Sequence, residues 1–175
     1  EYSYAGSDGK LVTGLKTING KKYLFDEYNY LYTSDQISDD AKTLYCINGS
    51  GAVTATVKAS GTGWKKGTDG YFYMKNGKFA TGYQKINGKG YYFNPWSGRM
   101  RINSYIEGYG YADASGQIHE NGWFGENKTL YVRDGRAING PETVNGKKYY
   151  FNWEAETGVF FTDGAYYYYN GNTGS

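Results

Sequence analysis

The groups able to make and break bonds in this chain are few and scattered. His119 is the only histidine, and a Ser-His-Asp or Cys-His hydrolase needs its imidazole beside a nucleophile and an orienting group. No G-x-S-x-G elbow is present. The single cysteine, Cys46, stands between Tyr45 and Ile47 in a strand-like stretch and reads as buried and inert. One cysteine makes neither an internal disulfide nor a cysteine metal site. Carboxylates stand close together at Asp26 and Glu27, at Asp39 and Asp40, and at Glu154 and Glu156. Paired carboxylates are the residue type that glycoside hydrolysis would use. All of these read as turn or loop residues. None recurs with the repeat described below, and a row of hairpins offers no deep cleft to raise a carboxyl's pKa. No EF-hand loop or nonapeptide calcium repeat occurs. The expectation is a chain without catalytic residues, metal or cofactor, and so not an enzyme.

What remains is aromatic surface. Aromatics are 19% of the residues, with 22 Tyr and 4 Trp beside 27 Gly and 2 Pro. Trp96 and Trp153 follow Tyr-x-Phe triplets at turn positions, where exposure is expected. Trp64 and Trp123 read as lying in linkers between hairpins. An exposed indole on a wet surface is a platform for stacking a sugar ring; the competing role is to plug the gap between stacked hairpins. Most Tyr must serve packing, since the ring buries area while its hydroxyl keeps a hydrogen bond. Leu, Ile and Val are sparse, so Tyr is expected to do most of the packing.

Charge and hydropathy narrow the partner. The net charge is +2, from 19 basic and 17 acidic residues that are interspersed. No long basic run of the kind a nucleic-acid footprint needs is present. The mean hydropathy is −0.74, yet the aromatic content is unlike that of a disordered chain. No signal peptide and no run long enough to span a membrane is found. The chain opens at Glu1 inside a repeat and closes inside another, at Ala165 to Ser175. It reads as a piece of a larger exported protein, with no membrane insertion of its own.

The positioning elements follow from internal repetition. Three segments align: TGLKTINGKKYLF from Thr13, TGYQKINGKGYYF from Thr81 and NGPETVNGKKYYF from Asn139. Gly14, Gly82 and Gly140 correspond, as do Asn19-Gly20, Asn87-Gly88 and Asn145-Gly146. Beneath this long period, an aromatic triplet followed by a turn and a Gly recurs about every twenty residues. Nine such units can be counted, ending near Tyr4, Phe25, Cys46, Tyr73, Phe93, Tyr111, Val132, Phe151 and Tyr169. Each reads as one β-hairpin, because Tyr and Phe favour strands and Asn-Gly or Asp-Gly favours tight turns. The three repeated Asn-Gly pairs read as a second set of turns between units. A lone hairpin is marginal in water, whereas stacked hairpins share a continuous core. The expected fold is all-β: an elongated β-solenoid of stacked hairpins, one array over 1–175. The unit between Gln36 and Gly63 is longer than its neighbours, either a mobile loop or a flap that shapes a groove.

The motif TGxxxINGKxYYF, with Gly-Trp and Asn-Gly-Lys between copies, resembles the cell-wall-binding repeat superfamily of Gram-positive bacteria. That group includes choline-binding repeats, glucan-binding repeats of glucansucrases and the C-terminal repeats of clostridial toxins. The resemblance implies a right-handed β-solenoid with ligand sites between consecutive hairpins. Choline-binding members hold the quaternary ammonium in an aromatic cage. Gly63-Trp64 and Gly122-Trp123 match the Gly-Trp part of that cage; Tyr71-Phe72-Tyr73 and Leu130-Tyr131-Val132 depart from its Trp-Tyr-Tyr part. Glucan-binding members place an aromatic platform under the sugar and polar side chains at its hydroxyls. By that likeness Gln84 and Lys89 are the hydrogen-bonding residues, and Tyr83 or Tyr92 the platform. Lys16 and Glu142 stand where Gln84 stands, and Pro141 where Tyr83 stands.

The expected function is non-catalytic binding of an α-glucan or a related surface polysaccharide, on a secreted or cell-surface protein of a bacterium. The array would target an attached catalytic, toxin or adhesin domain. Two alternatives stay open: anchoring to choline or teichoic acid in a cell wall, and a structural stalk or protein-interaction array.

Overall fold

Two-residue loops organise the chain. In the computed structural model, residues 2–125, 128–152, 154–155, 157–162 and 165–170 are described, with side chains as far as Phe151. Asn19-Gly20, Asn76-Gly77, Asn87-Gly88, Asp134-Gly135 and Asn145-Gly146 all place both residues at positive φ, near +50° and then near +78°. That pair of angles is the type I′ turn, whose twist matches the strands it joins.

Two compact bodies of chain result. The first comprises Glu1–Gln84 and Phe93–Met100, the second Lys85–Tyr92 and Arg101–Ser175. In the first, β1 (Gly14–Ile18) and β2 (Lys21–Phe25) pair over five residues around Asn19-Gly20. β3 (Gln36–Ile37), β4 (Thr43–Ile47) and β5 (Ala52–Lys58) follow, and β5 pairs with both β4 and β2. The stretch between Gln36 and Gly63 is thus strand, not loose loop. Its extra length is absorbed in β5, which completes a five-stranded sheet in the order β1-β2-β5-β4-β3. β6 (Gly63–Lys66), β7 (Tyr71–Lys75) and β8 (Lys78–Phe79) make a three-stranded sheet. β9 (Gly82–Ile86) and β10 (Lys89–Phe93) pair around Asn87-Gly88.

The second body continues with sheets of three strands. These are β11 (Ser104–Ile106), β12 (Gly110–Ala112) and β13 (Ile118–His119); β14 (Gly122–Phe124), β15 (Leu130–Arg133) and β16 (Arg136–Ala137); and β17 (Gly140–Val144), β18 (Lys147–Asn152) and β19 (Glu154–Ala155). β20 (Thr157–Thr162) and β21 (Ala165–Asn170) form a last hairpin. The described residues contain no α-helix.

Four expectations differ from the structure. The repeated Asn-Gly pairs do not separate units; they close hairpins, β1–β2 and β17–β18 over five paired residues each. Most units are three-stranded rather than two, because the turn after each aromatic triplet adds a short return strand. Tyr is not the main filler of the core. Among the described residues the largest fully buried apolar side chains are Phe72, Phe93, Phe151, Leu44, Ile47 and Val132, while most Tyr are half-buried or exposed. A phenol half in water keeps its hydroxyl solvated, and Phe takes the dry positions. Tyr149 is the exception, packed with Val144 and Phe151 against Trp123, Tyr131 and Ile138. Glu154, read as a loop residue, stands in β19.

The first body's core joins Ile37, Leu44 and Cys46 to Phe72 and Phe79. Cys46 is buried there, as its strand neighbours suggested. Beneath this core lies Asp35, 1% exposed. Its carboxylate accepts from the amides of Ile47, Thr68 and Asp69, tying β4 to the β6–β7 turn. Gly67 is where this turn passes: a Cβ there would stand 2.1 Å from an Asp35 carboxylate oxygen and 2.7 Å from the Phe72 ring.

Candidate functional site

The hairpin registers align the Trp residues structurally. Gly14, Gly63, Gly122 and Gly140 each open a strand at positive φ and stand opposite Phe25, Met74, Val132 and Phe151. The next residue is Leu15, Trp64, Trp123 or Pro141, opposite Leu24, Tyr73, Tyr131 or Tyr150. Trp64 and Trp123 therefore occupy one position in two hairpins. Both are strand residues, of β6 and β14, and not linker residues as their spacing suggested.

Each Trp sits in a similar aromatic group. In the first body, Trp64 meets Tyr73 edge-on at 5.2 Å between ring centroids and Phe93 at 5.9 Å. Tyr73 stacks on Phe93 at 6.3 Å. In the second, Trp123 meets Tyr131 at 5.0 Å, Tyr149 at 4.8 Å and Phe151 at 5.6 Å. The buried Phe anchors each group and the indole lies nearer the surface. Trp64 is 42% exposed, and Trp123 is half-buried. Trp64 presents ring area to solvent, while Trp123 is held on more sides.

The residues picked for their likeness to sugar contacts are distributed as follows. Tyr83 and Gln84 lie on the part of β9 that belongs to the first body; Tyr83 is exposed. The Gln84 amide donates to the carbonyl of Thr81 at 3.0 Å and accepts from Lys75 at 3.5 Å. Lys89 and Tyr92 lie on the part of β10 in the second body. Lys89 is exposed, and Tyr92 packs on Tyr109 at 5.6 Å. Trp96 is 78% exposed at the turn after β10, in keeping with its turn position. Trp153 lies outside the described residues.

His119 faces Asp113 across 2.8 Å, and its ring lies 5.7 Å from Phe124, which stacks on Tyr111. Burial alone would raise the Asp113 carboxyl. Hydrogen bonds from the Ser115 hydroxyl, His119 and the amides of Ser115 and Gln117 outweigh it and hold the carboxyl below its ordinary value. A carboxyl lowered by folding stabilises fully above the ordinary carboxylate range and loses that contribution as pH falls through its lowered value. Asp113→Asn is therefore expected to lower the melting temperature at neutral pH and to change it little in strong acid. Calorimetry of both proteins at the two ends of that range checks it.

A groove lies in the first body, beside the long unit for which the sequence offered one, but its lining was not legible there. Trp96, Tyr28, Tyr32 and Tyr45 line it together with Asp26, Glu27 and Asp39. Burial raises the Tyr32 phenol, and the nearby charges of Asp26, Asp39 and Glu27 raise it further. Of these residues only Trp96 stood out as a site candidate from its sequence position. Among the described residues no group of three His, Cys, Asp or Glu could cradle a metal ion.

The comparisons with known proteins follow this geometry. No family model matches the chain. Glucosyltransferase-S of Streptococcus mutans serotype c is 30% identical over 190 aligned positions, covering 99% of this chain and 12% of that protein. Glucosyltransferase-I of Streptococcus downei is 30% identical over 180, covering 98% of this chain and 10% of that protein. In structure, choline-binding protein F of Streptococcus pneumoniae, crystallised with a peptidoglycan analogue, superposes with a TM-score of 0.52 at 26% identity, over 95% of this chain and 52% of that one. These likenesses are those expected of a cell-wall-binding or glucan-binding repeat array. The chain spans about a tenth of the length of the curated relatives it matches.

Proposed function

We propose that this chain is a non-catalytic carbohydrate-binding module for an α-glucan or related surface polysaccharide, with shallow aromatic sites centred on Trp64 and Trp123. The observation that carries this reading is the recurrence of one arrangement in two hairpins: an indole after a positive-φ Gly, packed on a cross-strand Tyr and anchored by a buried Phe. A flat apolar ring held in a fixed pose suits the apolar face of a pyranose, and costs little entropy to use. Likeness along nearly the whole chain to two glucosyltransferases supports a glucan as ligand. The same reading takes the hairpins as one elongated solenoid array, about nine over 1–175. It is exported as part of a larger bacterial protein and targets an attached catalytic, toxin or adhesin domain. Tyr83, Gln84, Lys89, Tyr92 and Trp153 remain proposed contacts of that array.

Titration of Trp fluorescence with isomalto- and malto-oligosaccharides tests this reading. A saturable change with one linkage series is expected, and none with choline. The likeness to choline-binding protein F supports the second reading, wall anchoring through choline. A response to choline alone would replace the glucan reading with it. Silence of a folded sample in every arm would favour a stalk or protein-interaction array.

A further inference from the structure

The groove at Trp96 differs in kind from the Trp64 and Trp123 groups. Trp96 belongs to a turn whose backbone is clamped. Asn94 accepts from the amides of Trp96 and Ser97, at 2.9 and 3.0 Å. The Gln36 amide donates to the Trp96 carbonyl at 2.9 Å, across sixty residues of sequence. Gly98 presses on Ile37 so closely that a Cβ would stand 2.8 Å from its methyl. The indole itself stays in solvent, 78% exposed, and Tyr28 in the same groove is 70% exposed. An aromatic pair carried on a fixed turn and left uncovered beside a groove suits a binding surface.

The groove's polar groups set the ligand. Asp26, Glu27 and Asp39 line it, and no Lys, Arg or His does, in a chain whose net charge is +2. One Asp26 oxygen accepts from the Tyr28 and Tyr30 amides, which fixes that carboxylate in place. The Gln36 side chain gives one N–H to Trp96 and keeps its acceptor oxygen and a second N–H. The charge around the aromatic faces is negative, and its three carboxylates are strong acceptors. It repels phosphate and uronate polymers and favours a cation that also donates hydrogen bonds. A primary ammonium does both; a quaternary ammonium carries charge without a donor.

We infer that the Trp96 groove is a separate subsite for a glycan bearing free amino groups, the sugar ring stacking on Trp96 or Tyr28 and its ammonium set among Asp26, Glu27 and Asp39. This rests on the carbohydrate-binding reading and adds a second ligand chemistry to it. Gln36 stands in β3 at the edge of the five-stranded sheet, and Asp39 in the turn from β3 to β4, both within the long unit.

Calorimetric titration of the full chain with a glucosamine tetrasaccharide, its N-acetylated counterpart, isomaltotetraose and choline tests it. The free amine is expected to bind at least about tenfold more tightly than the acetylated sugar, since acetylation removes charge and donors. Trp96→Ala should abolish that binding and Asp39→Asn should weaken it. Added salt should weaken it too. Equal affinity for the acetylated sugar, choline bound as tightly as the amine, or full binding by Trp96→Ala would each overturn the inference. Circular dichroism of Trp96→Ala separates lost binding from lost fold; an exposed side chain is expected to leave the fold intact. Isomaltotetraose bound while the amine is not would sink the inference and leave the glucan reading standing. Failure of both sugars would count against both.

Discussion

Asp35→Ala is expected to destabilise the first body of the chain by about 3–5 kcal/mol, a large part of the 5–15 kcal/mol typical of a whole domain. The substitution leaves three backbone amides, of Ile47, Thr68 and Asp69, without their acceptor. Each such loss costs about 1–3 kcal/mol when the donor stays dry, and less where water reaches it, as it does at the exposed Thr68 and Asp69. One effect runs the other way. Burial raises the Asp69 carboxyl, the charge of Asp35 raises it further, and Arg99 at 2.6 Å pulls it back. Removing Asp35 relieves that repulsion, but the Arg99 pair is partly exposed and a pair of that kind is worth little. Urea unfolding should report a lower midpoint, and hydrogen exchange should report loss of protection at Ile47 and along β7. A midpoint within the error of the unsubstituted chain would show that the Asp35 clamp carries no stability. Gly67→Ala is the companion variant. It pushes a methyl into the same carboxylate and the Phe72 ring, and it should fail in the same place.

How much of this was legible in the sequence depended on how local the cause was. The Asn-Gly and Asp-Gly loops were visible because two adjacent residues suffice to set a type I′ turn. The correspondence of Gly14, Gly82 and Gly140 was visible for the same reason: each is a backbone position at positive φ. The strand assignment of Trp64 and Trp123 was missed. Gly before Trp looks like a linker until its cross-strand partner is known. The Phe-for-Tyr core was missed because alternation tells that neighbours face opposite ways, not which face is dry. The Asp35 clamp had no local signal at all, and of the Trp96 groove only the exposed turn Trp and the extra length after Gln36 were legible. Asp35 reaches Thr68 and Gln36 reaches Trp96 only after β5 has joined β2 to β4, a long-range pairing that no spacing of motifs announces.

Replacing Trp64 and Trp123 together by Ala is expected to reduce retention on immobilised dextran by about a hundredfold or more, against about tenfold for either alone. The single-site estimate follows from truncating an aromatic anchor at a shallow site, worth about 1–2 kcal/mol. The greater loss in the double variant follows from multivalency. With one site left, rebinding within the same polymer is still possible; with neither, it is not. The two single variants should also differ in stability. Trp64 leaves ring area in solvent, so its removal should cost the fold little. Trp123 packs on Tyr131, Tyr149 and Phe151, so its removal opens a void beside a buried ring. Trp123→Phe keeps most of that packing and should restore stability before it restores binding. Dextran affinity columns and thermal melts of the four variants and the unsubstituted chain separate the two roles. Retention that tracks melting temperature across the set would assign both indoles to packing. Retention lost at unchanged melting temperature in Trp64→Ala would assign at least that indole to the ligand, since its ring is the one that already stands half in solvent.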